Sequence, residues 1–257
     1  MSKRNLGSKI KLSSYDDMFG VNVAENENVN EENQIKDVAL SELHPFKNHP
    51  FKVIDDEKME EMVESVKQYG ILVPAIVRER AEGGYELISG HRRHHAAVLA
   101  GLEEMPVIVK KCDDDESTVI MVDANIQRED ISVSEKAKAY RMKYDAMKHQ
   151  GASGGISLAE MSESAGESRK TIQRLIYLSN LTEELLELID NKKIGIAQGV
   201  DLAFIPKEEQ DVVFRVMQKT GVFINMEQSA RVKNAVRVGL FYEGARRRIL
   251  CTSTIRF

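Results

Sequence analysis

Leu87-Ile-Ser-Gly-His-Arg-Arg-His-His-Ala-Ala97 is the stretch on which the reading of this chain turns. Tyr85-Glu-Leu-Ile88 has the apolar content of a strand, and from about Arg92 to Ala100 no helix breaker appears until Gly101. A strand therefore delivers Ser89 and Gly90 to the first turn of a helix. Glycine lets the backbone approach a ligand closely. The unsatisfied N–H groups of a helix start favour an anion, a phosphate above all. Arg92 and Arg93 add forked, permanently charged donors that match phosphate oxygens. His91, His94 and His95 in the same turn add donors or titrate. The competing reading is a solvated basic helix start that packs through Ala96, Ala97 and Leu99. There is no Walker A run of Gly-x-x-x-x-Gly-Lys-Ser/Thr. His91 and His95, at i and i+4, share a helix face, but no Cys or carboxylate completes a ligand set and two arginines repel a cation.

Upstream, Asp55 or Asp56 can cap a helix whose apolar positions are Met59, Met62, Val63 and Val66, one face of a helix that ends at Gly70. Leu72-Val-Pro-Ala-Ile-Val77 predicts a strand starting around its proline, and Glu82-Gly-Gly84 a turn. Pro106-Val-Ile-Val109 predicts a further strand. The result is a small α/β unit from Ile35 to about Lys111. Downstream, every signal is helical. Asp113–Glu116 suits a helix start, and that helix is expected to reach about Arg128. Near its end stands a polar cluster, Asp123-Ala-Asn-Ile-Gln-Arg-Glu-Asp130. There Arg128 can face a second phosphate and Asn125 a metal-bound water, unless the segment is only a charged helix end. Ser132 or Ser134 can cap another helix to about His149. Gln150-Gly-Ala-Ser-Gly-Gly155 breaks the chain before several short helices that run to about Val238.

Among them, Met161-Ser-Glu-Ser-Ala-Gly-Glu-Ser-Arg-Lys-Thr-Ile172 has the pattern of a helix-turn-helix. Met161 and Ala165 face inward, Gly166 makes the turn and Ser168 caps the second helix, which Ile172, Leu175 and Ile176 hold to the core. Its outer face shows Arg169, Lys170, Thr171, Gln173 and Arg174, with no acidic residue from Ser168 to Thr182. The first residues of such a helix reach base edges in the major groove. Arg and Gln pair bidentately with guanine and adenine, while Lys and Thr also reach phosphates. A helical hairpin with a solvated basic face is the plainer alternative.

The whole chain has 257 residues, is 42% hydrophobic and 30% charged, lacks Trp and carries a net charge of −5. A uniformly basic nucleic-acid coat is thus excluded, a local basic element is not. No apolar run is long enough for a membrane span, and Met1-Ser-Lys-Arg4 does not begin a secretory signal. Cys112 and Cys251 offer neither a disulfide framework nor a zinc pattern. A cytoplasmic protein with reduced thiols is expected. Residues 1–34 read as a disordered tail whose basic start (Lys3, Arg4, Lys9, Lys11) is a partner-docking peptide or a solvated terminus. Residues 239–257, with Arg246-Arg-Arg248, carry no assignable element.

The order Gly70-Ile-Leu-Val-Pro, then Gly90-His-Arg-Arg93, then Asn125-Ile-Gln-Arg128, then the helix-turn-helix resembles the ParB/Noc family of chromosome- and plasmid-partition proteins, from about Asp37 to Val238. The resemblance implies an α+β chain: a ParB/sulfiredoxin-like nucleotide-binding domain over 35–130, then an all-helical DNA-binding domain over 131–238. It implies CTP and Mg²⁺ as cofactors, with Ser89, Gly90, His91, Arg92, Arg93, His94, Asn125, Gln127 and Arg128 at the nucleotide and Asn125 at the metal. Ser168, Arg169, Lys170, Thr171, Gln173 and Arg174 are implied at the DNA. The implied partners are double-stranded DNA with a palindromic site, a second copy of the chain, and a ParA-type ATPase at the N-terminal tail. Lys192, Lys193 and Gln198 stand where the family has another DNA-contacting helix start. Two positions depart from the family: His91 and Ala124 replace glutamates of the motifs Gly-Glu-Arg-Arg and Glu-Asn-x-Gln-Arg. Weak or absent CTP hydrolysis is the consequence. Sulfiredoxin shares the fold, but its reactive cysteine position is Gly90 here, which removes that redox chemistry. A transcription regulator without nucleotide switching, or another nucleotide-dependent enzyme on this fold, are the alternatives.

Overall fold

The computed structural model describes residues 34–239, apart from 129, 152 and 153. The basic N-terminal peptide and the C-terminal stretch with Arg246–Arg248 lie outside them. The first half is a mixed five-stranded sheet with helices. Its strands are β1 (Ile35–Ala39), β2 (Leu43–His44), β3 (Ala75–Glu79), β4 (Tyr85–Ser89) and β5 (Glu104–Val109), in the order β1-β5-β3-β4-β2. β3 runs parallel to β5 and antiparallel to β4. Helix α1 (Glu57–Tyr69) starts at Asp56, whose carboxylate accepts from the Met59 N–H at 2.9 Å, and ends at Gly70. Helix α2 is His91–Ala100 and ends at Gly101, where φ is 77°.

Three of the differences from the sequence reading have a clear physical reason. β1 was not legible as a strand: of its five residues only Val38 is buried, and pairing with β5 makes it one. β3 begins at Ala75 rather than Leu72. Pro74 has no N–H for a ladder, and Leu72 ahead of it is 78% exposed. Helix α3 (Asp114–Asn125) has a capping box between Asp113 and Glu116, and it stops three residues short of Arg128. The cluster 126–128 is therefore a turn rather than helix.

The second half is helical throughout its described residues: α4 (Val133–His149), α5 (Gly154–Ala165), α6 (Arg169–Leu178), α7 (Glu183–Asp190), α8 (Ile196–Leu202), α9 (Lys207–Thr220) and α10 (Met226–Arg237). Ser132, not Ser134, caps α4, because Ser134 is committed to the Asp190 carboxylate, its N–H donating at 2.9 Å. The boundary expected near 130 falls between α3 and α4, yet the apolar core runs through it. Phe46, Phe51 and Ile88 of the sheet half share one buried cluster with Met121, Val122, Tyr140, Met161 and Ile172. Each such large side chain stabilises the fold by roughly 1.5–3 kcal/mol on burial. On the same face of the sheet, Arg78 of β3 bonds Glu86 of β4 and Asp114 of α3, each at 2.6 Å, so α3 is also tied to the strands by charge.

Candidate functional site

β4 ends at Ser89 and the chain reverses at Gly90, whose φ is 102°. A side chain is impossible there on two counts: the backbone is left-handed, and an added Cβ would lie 2.8 Å from the Cβ of Ala75 on β3. No side chain caps α2, so the N–H groups of its first turn are not taken by a neighbouring residue. That is the anion-favouring helix start the sequence predicts.

The two arginines differ in the groups they bond. Arg93 donates to the backbone oxygens of Val73 and Pro74, the latter at 2.7 Å, and so staples the turn to the entry of β3. Arg92 lies 3.3 Å from the Asp56 carboxylate, the cap of α1. Arg128, from the second cluster, comes to the same place. Asp130 is held well below the usual carboxylate range, first by its bond to Lys58 and then by Arg128 and Arg92. The fold thus brings the two separated motifs together on one basic face. Gln127 is turned elsewhere, its amide reaching the Ser164 carbonyl of α5 at 3.5 Å. Asn125 donates back to the Met121 carbonyl at 2.9 Å.

The histidines form a buried set that sequence spacing alone does not show. The ring of His91 stacks on His49, with centroids 3.8 Å apart, and His91 Nε2 accepts from the Phe46 N–H at 3.4 Å. Burial, then the neighbouring rings of His49 and His94, push His91 down to about 3. Burial lowers His49 and His94 as well. His91 is accordingly a neutral imidazole at neutral pH. His91 Nδ1, His94 Nε2 and His49 Nε2 are buried without a hydrogen-bond partner in the protein. His49 lies outside every motif. The one signal for it was its place in a Pro/His-rich loop, His44-Pro-Phe-Lys-Asn-His-Pro50.

The carboxylates near the turn are engaged. Asp55 bonds His95 at 2.7 Å, Asp56 faces Arg92, and Asp130 bonds Lys58 at 2.5 Å. Asp123, the carboxylate nearest in sequence to Ala124, lies 2.5 Å from Lys143. No group of three or more His, Cys, Asp or Glu residues that could hold a metal occurs among the described residues. An expected phosphate fits this turn, which has an uncapped helix start with Arg92 and Arg128 beside it. The Mg²⁺ expected at Asn125 fits it poorly: that ion is usually held by one or two carboxylates together with substrate phosphates and water, and the carboxylates described here are paired with cations or His95.

The second site is α6. Ser168 caps it, accepting from the Thr171 N–H at 3.1 Å, and Gly166 makes the turn with φ 67°. Ile172, Leu175 and Ile176 are buried, while Arg169, Lys170, Thr171, Gln173 and Arg174 are exposed. Ser168 and Thr171 bond each other through their hydroxyls at 2.8 Å, which makes them helix-starting residues first. Around α6 the surface cations are neutralised: Lys136 by Glu167, Lys138 by Glu183, Arg141 by Asp145. Arg169, Lys170 and Arg174 are in no ion pair among the described residues. Three uncompensated cations on one helix of an acidic chain make a local anion-facing surface. Beneath it, Lys143 of α4, 5% exposed, joins Asp123 of α3 to Ser164 of α5 at 3.1 Å. Sequence reading passed over Lys143, since a lysine on a helix is ordinarily solvated.

Comparison with known proteins matches the two halves separately. Residues 24–126 match the ParB N-terminal domain and residues 129–235 the ParB HTH domain. The probable chromosome-partitioning protein ParB of Vibrio cholerae is 30% identical over 179 residues, which is 70% of this chain and 59% of that one. A nucleoid occlusion protein of Listeria monocytogenes is 29% identical over 179 residues, 70% of this chain and 60% of that protein. The chain therefore spans about three-fifths of the length of these relatives. Among solved structures, the pNOB8-like ParB-N domain superposes with a TM-score of 0.51 at 14% identity, covering 85% of this chain and 98% of that one, a likeness of fold.

Proposed function

Since this chain belongs to the ParB family, we propose that it is a site-specific DNA-binding protein of the partition type whose hold on DNA is governed by CTP at the Gly90 turn. The observation that carries the reading is the pairing, through one continuous core, of an uncapped phosphate-favouring turn with an unpaired basic recognition helix. The helix α6 enters the major groove. Arg169, Lys170, Gln173 and Arg174 reach bases and phosphates, and Ser168 and Thr171 fix the helix start that presents them. At the turn, the first N–H groups of α2 take the phosphates with Arg92 and Arg128, while Gly90 and Arg93 hold the backbone in place.

CTP, when bound, supplies a polyanion whose higher affinity for one conformation shifts the population toward it. Hydrolysis is slow or absent, because neutral His91 and methyl-bearing Ala124 provide no carboxylate to orient an attacking water. A second copy of the chain matches a palindromic site, and the basic N-terminal peptide contacts a ParA-type ATPase.

The test is selection of bound duplexes from a random DNA library, with and without CTP, followed by calorimetry. Enrichment of a palindrome, with its occupancy altered by CTP and not by ATP, GTP or UTP, is the expected result. No enriched sequence, together with no CTP binding in the presence or absence of DNA, would overturn the proposal.

A further inference from the structure

Resting on the nucleotide reading above, we propose that this chain binds CTP without needing a divalent cation. The fixed positive charge and neutral donors around the Gly90 turn take the role that a bound ion would fill.

Four observations converge. First, among the described residues three carboxylates at hand are already paired: Asp56 with Arg92, Asp130 with Lys58, Asp123 with Lys143. A carboxylate that already answers a lysine at 2.5 Å is a poor ligand for Mg²⁺, which would have to displace the lysine and strip its own water. Second, freeing Asp123 would leave the ammonium of Lys143 without its counter-charge while its side chain is 6% exposed, a costly state. Third, the position that opens α2 is an imidazole. It accepts from Phe46, stacks on His49 and stays neutral, so it adds no negative charge to attract an ion. Fourth, Arg92, Arg128 and Lys58 outnumber Asp56 and Asp130, the carboxylates they face, by one, and the positive end of α2 adds to them. Like charges disfavour a bare cation there and favour an uncomplexed triphosphate. His91 Nδ1, buried with no acceptor in the protein, is a donor that an entering phosphate oxygen can satisfy after a small turn of the ring.

The experiment is titration calorimetry of CTP into the full chain, once with Mg²⁺ in excess over CTP and once with EDTA. Dissociation constants that agree within about threefold are expected. Ala124→Glu, on an exposed face of α3 that tolerates a longer side chain, and His91→Glu/Ala124→Glu each restore a carboxylate. Both should make binding tighter with Mg²⁺ than with EDTA by at least about tenfold. A wild type that binds CTP only with Mg²⁺ overturns this inference and leaves the nucleotide reading intact. No binding in either buffer overturns the nucleotide reading and this inference with it. Variants as indifferent to Mg²⁺ as the wild type also overturn it, because the missing carboxylates would then not be the cause.

Discussion

His91 shows how much a single buried ring carries. In the unfolded chain it titrates near 6.5, and in the fold near 3. Between these values the unfolded state binds a proton that the native state refuses. The stability owed to neutral His91 is whole above pH 6.5 and is lost as pH falls toward 3, with a slope of up to about 1.4 kcal/mol per pH unit. His49 and His94 shift the same way and add to it. The midpoint of thermal unfolding should therefore fall between pH 7.5 and 5.5, and His91→Phe should fall less. Equal drops in the two proteins would remove His91 as a cause.

On α6, Lys170→Ala and Arg174→Ala each delete an exposed cation that no carboxylate answers. Both should weaken DNA binding. A phosphate contact shows as a salt slope reduced by about one unit, and a base contact as specificity relaxed by about 1–3 kcal/mol. DNA affinities equal to wild type across a salt series would place α6 away from the DNA.

Elements add the geometry that lets those residues act. Helix α6 starts where Ser168 accepts from the Thr171 N–H, and a cap of this kind is worth about 1 kcal/mol. Ser168→Ala should lower the unfolding midpoint by roughly 2–4 °C, and it should weaken DNA binding more than that loss explains, since the frayed first turn carries Arg169 and Lys170. Full affinity in the variant would show that the helix start is held by DNA alone. The strand–turn–helix at Gly90 is more demanding. Gly90→Ala brings a Cβ to 2.8 Å from Ala75 and forces a left-handed backbone on alanine. Destabilisation of about 1–3 kcal/mol is expected, read as a shift in the denaturant midpoint. An alanine variant as stable as the wild type would mean that β3 and the turn separate easily.

At the scale of the molecule the two halves are one body. The buried cluster that holds the recognition helix also holds Phe46, Phe51 and Ile88 from the sheet half, and Lys143 pins α3 to α5. Residues 34–239 should accordingly unfold in one cooperative transition, with the calorimetric enthalpy equal to the van't Hoff enthalpy. Two separable transitions would show that the sheet half and the helical half fold independently. Lys143 also ties the last turns of α3 to the helix-turn-helix through Asp123 and Ser164. A polar tie that is buried and fully paired specifies one relative placement of the helices it joins.

By itself the sequence determined the local chemistry of this protein. Apolar spacing, Asp56, Ser132 and Ser168 as caps, and Gly70, Gly101 and Gly166 as stops are written in short windows, because helix starts and ends depend on neighbours within about four residues. The basic face of α6 was equally legible, since one helix turn sets which residues share it. Tertiary structure alone decided the rest. β1 is a strand only because β5 supplies its hydrogen bonds, and α3 ends at Asn125, two residues before Gln127 reaches the Ser164 carbonyl of α5. Arg93 bonds the backbone of Val73 and Pro74, His49 meets His91 across 42 residues, and Asp123 belongs to Lys143. These outcomes depend on which distant groups burial brings into hydrogen-bond range. A buried charge or imidazole takes whatever partner lies within about 3 Å, and sequence separation does not encode that distance.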